Sequence, residues 1–304
     1  MDNQNYTTSI ISVNYNQAEM TVCFLHSLKK YASHDNLEVI VVDNGSKCDE
    51  CLKFAEAYPG LIYIRSDENL GFAGGNNLGI SRASGKYLLL LNNDTEITEG
   101  FVKSMCKEME KCPEIGLLSP LILYFDQKQT IQYAGYTAMN YFTGRNKGIA
   151  FRESDLGQFN NTTYEVGFCH GAAMMCRRSD LERVGVMDER YFLYYEELDW
   201  CERFRRAGKK IVFTGKAKIY HKESMSVGKE SPLKSYFMTR NRWLYIRRNS
   251  SLLSRLMFSL YYLCLVFPIM QFNYARRKRY DLSLAAWKGI YWNLLHKSNS
   301  KDLG

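Results

Sequence analysis

The sequence lacks a second pair of cysteines at zinc-binding spacing. Its nine cysteines are scattered from Cys23 to Cys264, and only Cys48 and Cys51 lie close together. Half of the ligands of a structural zinc site are therefore missing, and we expect free thiols in a reducing cytoplasm. A signal peptide is lacking as well, because the first ten residues are polar rather than basic and then apolar. Both absences predict a protein that faces the cytosol.

Glycine is absent from the first predicted turn, NYNQAE at Asn14–Glu19. A dinucleotide-binding Rossmann domain needs its glycines in the turn after the first strand, where backbone and pyrophosphate approach each other. A sugar-1-phosphate nucleotidyltransferase needs a glycine-rich first turn too. Neither class fits this sequence.

The composition is that of a folded protein with an anionic partner. Of 304 residues, 46% are hydrophobic and 24% charged, which permits one large domain or two modest ones. The formal net charge of +8 favours nucleic acid, a phosphate-bearing small molecule or an acidic membrane surface.

Apolar runs alternate with helical spacing over the first ninety residues. This alternation predicts βαβ units and a parallel sheet with helices on both faces. The predicted strands are Ser9–Tyr15, Glu38–Asp43, Leu61–Ile64 and Tyr87–Leu91, and the predicted helices are Met20–Tyr31, Cys48–Ala57 and Gly75–Ser84.

Polar residues follow the predicted strands where ligands of such sheets bind, at the carboxyl ends. The first strand ends in Asn14 and Tyr15, the second in DNGS (residues 43–46), and the fourth, LLLL, runs directly into Asn92–Asp94. Between them, the glycines of NLGFAGGNNLGI (residues 69–80) would let backbone approach a phosphate or ring near a helix N-terminus.

The pattern changes beyond Ile115. Residues Leu121–Thr163 predict loops inserted around the site, and this segment and Glu223–Ser231 are candidate lids. Order returns in a helix, Tyr194–Gly208, that starts with acids and ends with bases. Three further segments predict strands: Gly171–Arg178, Lys210–Phe213 and Ile219–His221.

Seven motifs in this order resemble the family-2 glycosyltransferases, which are inverting enzymes with the GT-A fold. They are VNYN, VVDNGS, NLGFAGGNN, LLLLNND, GAAMMCRR, FLYYEELDWCERFRRAG and IYH, and they span most of residues 9–249. The form of two of them resembles bacterial rhamnosyltransferases that build cell-surface polysaccharide. The resemblance implies an α/β fold, GT-A with a Rossmann-like nucleotide-binding mixed sheet, over residues 1–249.

The resemblance also implies roles for individual residues. Asp43 would contact the nucleoside of a nucleotide-sugar donor, although an acid in DNGS is also a common turn residue. Asp94 and His221 would hold Mg²⁺ or Mn²⁺ against the donor diphosphate. The remaining residues implied to bind the donor are Asn14, Tyr15, Ser46, Asn69, Gly71, Phe72, Gly74, Gly75, Asn77, Asn92, Asn93 and Arg240.

Two positions depart from the family pattern. Asn92 stands where the family usually has the first Asp of Asp-x-Asp, and Glu197 stands where most relatives carry Asp. Glu197 is the candidate general base that deprotonates the acceptor, with Glu196 as the alternative. The departures leave two hypotheses open. One is an inverting, metal-dependent transferase that uses dTDP-rhamnose or a UDP-hexose on a lipid-linked glycan. The other is an inactive relative that scaffolds a glycan-assembly complex.

The last residues, 250–304, differ in kind from the rest. Leu252–Phe272 is almost continuously apolar, and Ala275–Arg279 (ARRKR) is basic. Basic residues on both sides disfavour a simple membrane span, so an in-plane anchor on an anionic membrane surface fits better. We expect a helical region attached to the cytoplasmic face of the inner (plasma) membrane, peripheral or monotopic. The alternatives are a true span or re-entrant hairpin, and a soluble helical subdomain or dimer face that would form a homodimer. No nucleic-acid-binding module is recognisable.

Overall fold

The structure is a computed structural model that describes residues 8–33, 36–222 and 230–304. Ten strands are present in this part of the chain: β1 (Thr8–Asn14), β2 (Leu37–Asn44), β3 (Ile62–Ser66), β4 (Tyr87–Leu91), β5 (Thr95–Ile97), β6 (Ile115–Tyr124), β7 (Ile131–Tyr133), β8 (Thr163–Glu165), β9 (Ala173–Arg177) and β10 (Lys210–His221). The helices are α1 (Ala18–Tyr31), α2 (Cys51–Ala57), α3 (Gly71–Ile80), α4 (Phe101–Lys111), α5 (Leu181–Val184), α6 (Glu196–Arg206), α7 (Pro232–Asn249), α8 (Leu252–Tyr261), α9 (Phe267–Arg276) and α10 (Tyr280–Leu295).

The strands form one mixed sheet in the order β3-β2-β1-β4-β9-β6-β10-β5, with β7 beside β6 and β8 beside β10. Strands β1 to β4 pair in parallel, whereas β9 lies antiparallel between β4 and β6. Because β9 is antiparallel to both of its neighbours, β6 and β10 run the same way as β4. The carboxyl ends of six strands therefore meet at one edge, as the predicted mixed α/β sheet requires.

Strand β4 lies in the centre of the core. Its residues Leu88–Leu91 are at most 2% exposed, so both faces of the strand are covered. A continuous apolar run is the pattern of a strand buried on both sides, and each buried leucine stabilises the fold by about 1.5–3 kcal/mol. The strand thus anchors the polar residues that follow it, Asn92–Asp94, at the edge of the sheet.

Some predicted element boundaries were wrong. Lys210–Phe213 and Ile219–His221 are parts of one strand, β10, which is interrupted by a register shift between Thr214 and Lys218. Leu121–Tyr124 is not a loop, because it completes β6, and Ile131–Tyr133 also pairs in the sheet. The bulged residues break the alternating pattern, and this break makes one strand look like two.

Of the two candidate lids, residues 223–229 lie outside the described residues. In Leu121–Thr163, the part after Tyr133 forms turns and isolated bridges, such as those between Tyr136 and both Gly148 and Phe168.

The C-terminal helices pack on the sheet domain and expose an apolar face. Helices α8 and α9 are joined by a π-helical turn, Tyr262–Val266, into one helix of 25 residues, Leu252–Arg276. It is the one helix in the described ranges that is long and apolar enough to cross a membrane. Helix α10 lies tightly against α7, since a Cβ on Gly289 would be 2.8 Å from the Tyr236 carbonyl oxygen. The division between residues 249 and 250 stays a prediction.

Candidate active site

A cleft opens at the sheet edge where the carboxyl ends of β1, β2 and β4 meet. It contains about 780 Å³ of empty space, measured to its open mouth. Seven of the residues predicted to bind donor or metal line it: Tyr15, Asn69, Gly71, Phe72, Asn92, Asn93 and Asp94. The structure therefore brings together residues as far apart in sequence as Tyr15 and Asp94.

Asp43, Asn14 and Ser46 form a buried hydrogen-bonded layer behind this cleft. The Asn14 amide donates to Asp43 Oδ1 and to Ser46 Oγ, both at 3.1 Å. On its other side, Asp43 Oδ2 lies 3.3 Å from Arg65 Nη1 and accepts from the Tyr63 hydroxyl at 3.2 Å. Asp43 is 1% exposed. This network fixes the position of the carboxylate at the end of β2.

Asn44 and Asn69 shape the wall of the cleft opposite β4. Asn44 donates to Asn69 Oδ1 at 3.1 Å and to the Gly71 carbonyl at 3.0 Å, while its Oδ1 accepts from Leu70 N. Asn69 Oδ1 also accepts from Gly71 N at 2.9 Å. Helix α3 therefore starts at Gly71, four residues earlier than predicted, because side-chain amides satisfy its first backbone groups.

Three residues predicted to contact the donor instead fix the position of helix α3. A Cβ on Gly74 would lie 2.6 Å from Leu70 Cβ, and one on Gly75 would lie 2.9 Å from Val13 Cγ1. Asn77 is bonded in both directions to Met187 and also donates to Glu189. The glycines thus permit close packing and Asn77 ties the helix to the segment before α6, while contact of these residues with the donor stays a prediction.

Asp94 and His221 face each other at the metal position implied by the sequence. Strand β5 brings them together, because Thr95 pairs with His221 in the antiparallel ladder. His221 Nε2 lies 3.1 Å from Asp94 Oδ1, yet this buried oxygen has no aligned hydrogen bond. His221 Nδ1 lies 2.9 Å from Gln132 Oε1, an acceptor, so Nδ1 carries a proton. In the neutral imidazole, the Nε2 lone pair is therefore turned towards the carboxylate.

Two lone pairs that face each other at this distance need a cation, either a proton on Nε2 or a metal ion. Burial is the largest influence on Asp94 and opposes its ionisation, but the proximity of His221 together with a backbone hydrogen bond outweighs it and leaves the pKa of Asp94 below its usual value. Within the described ranges, no three His, Cys, Asp or Glu side chains gather around a metal position. Asp94 and His221 therefore fit Mg²⁺ or Mn²⁺ if phosphate and water supply the other ligands, as Mg²⁺ commonly requires. Gln132 holds the histidine ring as an outer partner would.

His170, which the sequence analysis did not single out, lies beside this pair. Its ring centroid is 5.7 Å from that of His221. Burial, helped by His221, lowers the pKa of His170 to about 3. The ring is therefore neutral, and its Nδ1 accepts from Ala172 N at 3.1 Å.

The candidate bases follow a strained loop. Phe192, Tyr194 and Tyr195 have φ values of 60°, 69° and 75°, which bulky residues rarely adopt. Such strain persists only where the surroundings hold it, and it is concentrated at functional sites. The loop leads into the N-terminus of α6, so Glu196 and Glu197 begin the helix.

Glu197 is the carboxylate that a substrate can reach. Glu196 is buried, whereas Glu197 is half-buried and lines a second cavity. Burial raises the pKa of both carboxyls, and the charge of Glu197 raises that of Glu196 further. A Cβ on Gly171 would lie 3.8 Å from Phe72 and 4.0 Å from Glu197, so the candidate base lies close to a residue that lines the cleft.

Arg240 does not reach the cleft, which corrects its predicted role near the diphosphate. The guanidinium is fully buried, stacks 3.9 Å above the Trp292 ring and donates to the carbonyls of Arg190 and Asp302. Its neighbour Asn241 donates to three carbonyls of the strained loop, those of Tyr191, Leu193 and Tyr194. Both residues of α7 therefore hold the loop that precedes Glu197.

Several lining residues were missed by sequence reasoning. They are Val13, Gln17, Asn44, Phe192, Leu193 and Leu233. Asn44 lies within the DNGS motif and Phe192 within FLYY, so the motifs themselves were the available signal. Leu233 comes from the start of α7, and only the fold brings it to the cleft.

Comparison with known proteins agrees with the fold and the cleft. The sequence profile of the family described as Glycosyl transferase family 2 matches residues 9–185, which is more than half of the chain. The chain belongs to this family. The matched range includes β1–β4, β9 and the cleft residues up to Asp94, and it ends before α6 and β10.

Relatives of this glycosyltransferase include enzymes named for rhamnosyl and hexosyl transfer. The chain is 25% identical over 242 residues to the N-acetylglucosaminyl-diphospho-decaprenol L-rhamnosyltransferase of Mycobacterium tuberculosis, covering 73% of this chain and 78% of the relative. It is 29% identical over 246 residues to a low-salt glycan biosynthesis hexosyltransferase of Haloferax volcanii, covering 78% and 74%. The rhamnosyltransferase WbbL of Escherichia coli is 28% identical over 220 residues, covering 67% and 79%.

Solved structures confirm that this glycosyltransferase has the GT-A fold. GalNAc-T7 with UDP, GalNAc and Mn²⁺ superposes with a TM-score of 0.63 at 17% identity; the match covers 76% of this chain but only 46% of that one. Residues 1–349 of TarS from S. aureus give a TM-score of 0.53 at 16% identity and cover 85% and 72%. At these identities the likeness supports the fold alone.

Proposed function

We propose that this glycosyltransferase transfers a sugar from dTDP-rhamnose or a UDP-hexose to a lipid-linked glycan, with inversion at the anomeric carbon. One observation carries the proposal: Asp94 and His221 face each other beside the cleft without an aligned hydrogen bond, and Glu197, whose pKa is raised by burial, lies close to the cleft residue Phe72. The relative from Mycobacterium tuberculosis, which is named for transfer to N-acetylglucosaminyl-diphospho-decaprenol, supports the lipid-linked acceptor. The natural role would be synthesis of cell-surface polysaccharide.

The donor would lie across the strand ends with its nucleoside towards Asp43. The Asp43 carboxylate would accept from ring N–H or ribose hydroxyl groups, and Tyr15 and Phe72 would supply aromatic surface. Asp94 and His221 would hold Mg²⁺ or Mn²⁺. When bound, the metal neutralises the charge that builds up on the leaving diphosphate. Asn92 and Asn93 can hydrogen-bond sugar hydroxyls.

Glu197 would take the proton of the acceptor hydroxyl as its oxygen attacks the anomeric carbon. The new glycosidic bond forms on the face opposite the bond to the diphosphate, which leaves in the same step, so the configuration inverts. Phe72, Phe192 and Leu193 would keep water out of the cleft, which prevents hydrolysis of the donor.

Membrane attachment would bring the enzyme to its acceptor. The Leu252–Arg276 helix exposes apolar side chains, including Leu256 at 62%, Leu260 at 62% and Phe272 at 67%. Trp287 and Tyr291 of α10 are also more than half exposed. The basic run Arg276–Arg279 follows at the end of α9, so apolar burial and attraction to anionic lipid would act together at the cytoplasmic face.

The test is binding of dTDP, UDP and GDP to the purified full chain by calorimetry, each with Mn²⁺ or with EDTA. We expect one nucleotide to bind only when Mn²⁺ is present. Asp94→Asn should abolish this metal-dependent binding, and the surface control Asp126→Asn should leave it unchanged. The matching nucleotide-sugar should then turn over on lipid-linked acceptor in membrane extracts. Absence of binding by every nucleotide would refute the enzyme and favour the inactive scaffold.

A further inference from the structure

A second cavity lies behind the cleft and is lined in part by Glu197, the base of the proposed reaction. It contains about 1040 Å³ of empty space, measured as for the cleft. Its walls come from the segment Tyr136–Asn146, the start of α6 and one face of α7. Lys234, Met238 and Arg242 are four residues apart on α7, so they line the same side of that helix.

This cavity is lined by three cations, Arg145, Lys234 and Arg242, and by one carboxyl, Glu197. Arg242 Nε donates to the Tyr195 hydroxyl at 2.8 Å, while Arg145 and Lys234 lie 5.7 and 5.8 Å from the ring centroids of Tyr261 and Tyr194. Within residues 8–33, 36–222 and 230–304, none of the three forms an ion pair with a carboxylate. Many other basic residues in these ranges do form ion pairs. Because three cations face a single carboxyl, the cavity is a positively charged pocket with an excess of hydrogen-bond donors.

The apolar helix, Leu252–Arg276, lies beside this cavity. A Cβ on Gly144 would lie 2.7 Å from Phe258 and 3.5 Å from Arg242, so the loop, α7 and α8 meet there. The Arg242 guanidinium also lies 5.9 Å from the Tyr262 ring centroid. The cations therefore stand between the carboxyl of Glu197 and a helix whose outer face is apolar and exposed.

We propose that this pocket binds the diphosphate of the lipid-linked acceptor, with the acceptor sugar towards Glu197 and the hydrocarbon chain along Leu252–Arg276. The assignment rests on the proposed function, since it requires Glu197 to act on an acceptor hydroxyl. Two phosphoryl groups carry the charge that three unpaired cations complement, and guanidinium groups suit phosphate oxygens geometrically. The donor diphosphate would have a separate site in the cleft, at Asp94.

The test uses geranylgeranyl diphosphate in neutral detergent micelles with EDTA, and it measures binding to the full chain by calorimetry. We expect binding without metal, weakened at least about tenfold in Arg145→Gln/Lys234→Gln, because hydrogen bonds to charged groups are lost. The control Lys103→Gln/Lys107→Gln removes the same charge from the exposed face of α4 and should leave affinity within about twofold. Thermal unfolding of each variant checks that it is folded.

Further probes separate the contributions of the diphosphate and the hydrocarbon chain. Geranylgeraniol should not bind, and inorganic pyrophosphate should bind more weakly than the prenyl compound. Equal affinity of pyrophosphate and the prenyl diphosphate, or equal weakening by the two double variants, would overturn the proposal. Loss of binding in Asp94→Asn would place the probe in the donor cleft and overturn it as well. If the expected pattern holds but no nucleotide binds the wild type, the diphosphate site stands and the proposed transferase fails.

Discussion

Substitution of Gly71 by alanine tests the contact between the cleft and the strained loop before α6. Gly71 has φ of +72°, and an added Cβ would lie 2.3 Å from the Phe192 carbonyl oxygen and 2.6 Å from its ring. The same carbonyl accepts from Phe72 N at 2.7 Å. Alanine here would push the loop away from α3 and so separate two residues that line the cleft, Phe192 of the loop and Phe72 of the helix.

A matched control separates the loss of stability in Gly71→Ala into a contribution from backbone strain and a contribution from overpacking. Gly100 has φ of +69° but no atom within 4 Å of its added Cβ. Left-handed backbone costs alanine about 1–2 kcal/mol at either position. At Gly71 the overpacking adds about 1–3 kcal/mol. We therefore expect Gly71→Ala to lower the free energy of unfolding by about 2–5 kcal/mol, against about 1–2 kcal/mol for Gly100→Ala.

Urea denaturation of both variants measures the difference, and nucleotide titration with Mn²⁺ measures its consequence. In thermal unfolding, each kcal/mol of lost stability would lower Tm by about 2 °C for a chain of this size. Gly71→Ala should also weaken nucleotide binding, whereas Gly100→Ala, at the start of α4, should not. If both variants lose the same stability and bind nucleotide equally, the close approach of Gly71 to Phe192 has no energetic weight and the reasoning is wrong.

Three further substitutions test other parts of the site. Glu197→Gln should lower turnover by about 10²–10⁴-fold with nucleotide binding intact. A general base must be ionised, and burial raises the pKa of Glu197. The kcat/KM of the wild type should therefore fall on acidification at a pH above the usual glutamate range. A pH profile without that fall would contradict the role of Glu197 as the base. Arg240→Lys should lose about 1–3 kcal/mol of stability, since one ammonium cannot satisfy both carbonyls; an unchanged urea midpoint would refute this. Asp43→Asn should weaken nucleotide affinity about tenfold while preserving its Mn²⁺ requirement, which the same titration checks.

The sheet and the residues at its edge were predictable because their signal is local. A run such as Leu88–Leu91 can only be buried on both sides, and polar residues after it must emerge at the carboxyl edge. Asn92–Asp94 therefore line the cleft as the sequence indicates. The mixed sheet and the family relationship are confirmed, whereas the catalytic and metal-binding roles stay predictions.

The remaining features depend on directions in space that a motif does not specify. Arg240 has a motif position near the diphosphate, but its side chain points into the protein and stacks on Trp292 from a helix about fifty residues later. Leu233 reaches the cleft only because α7 crosses the sheet edge. The bulge after Thr214 makes one strand look like two. These outcomes depend on tertiary packing, which overrides local patterns.

Helix α7 ties the loop before Glu197 to the apolar helix that follows it. Asn241 binds three carbonyls of that loop, and eleven positions later the chain enters Leu252–Arg276. A displacement of the apolar helix would therefore act through α7 on the geometry of the proposed catalytic carboxyl. By thermodynamic linkage the effect would be reciprocal, so ordering the loop around bound substrates would strengthen the proposed attachment to the bilayer by the same free energy with which the bilayer orders the loop. In the proposed function, membrane residence and catalytic readiness would be two aspects of one conformational equilibrium.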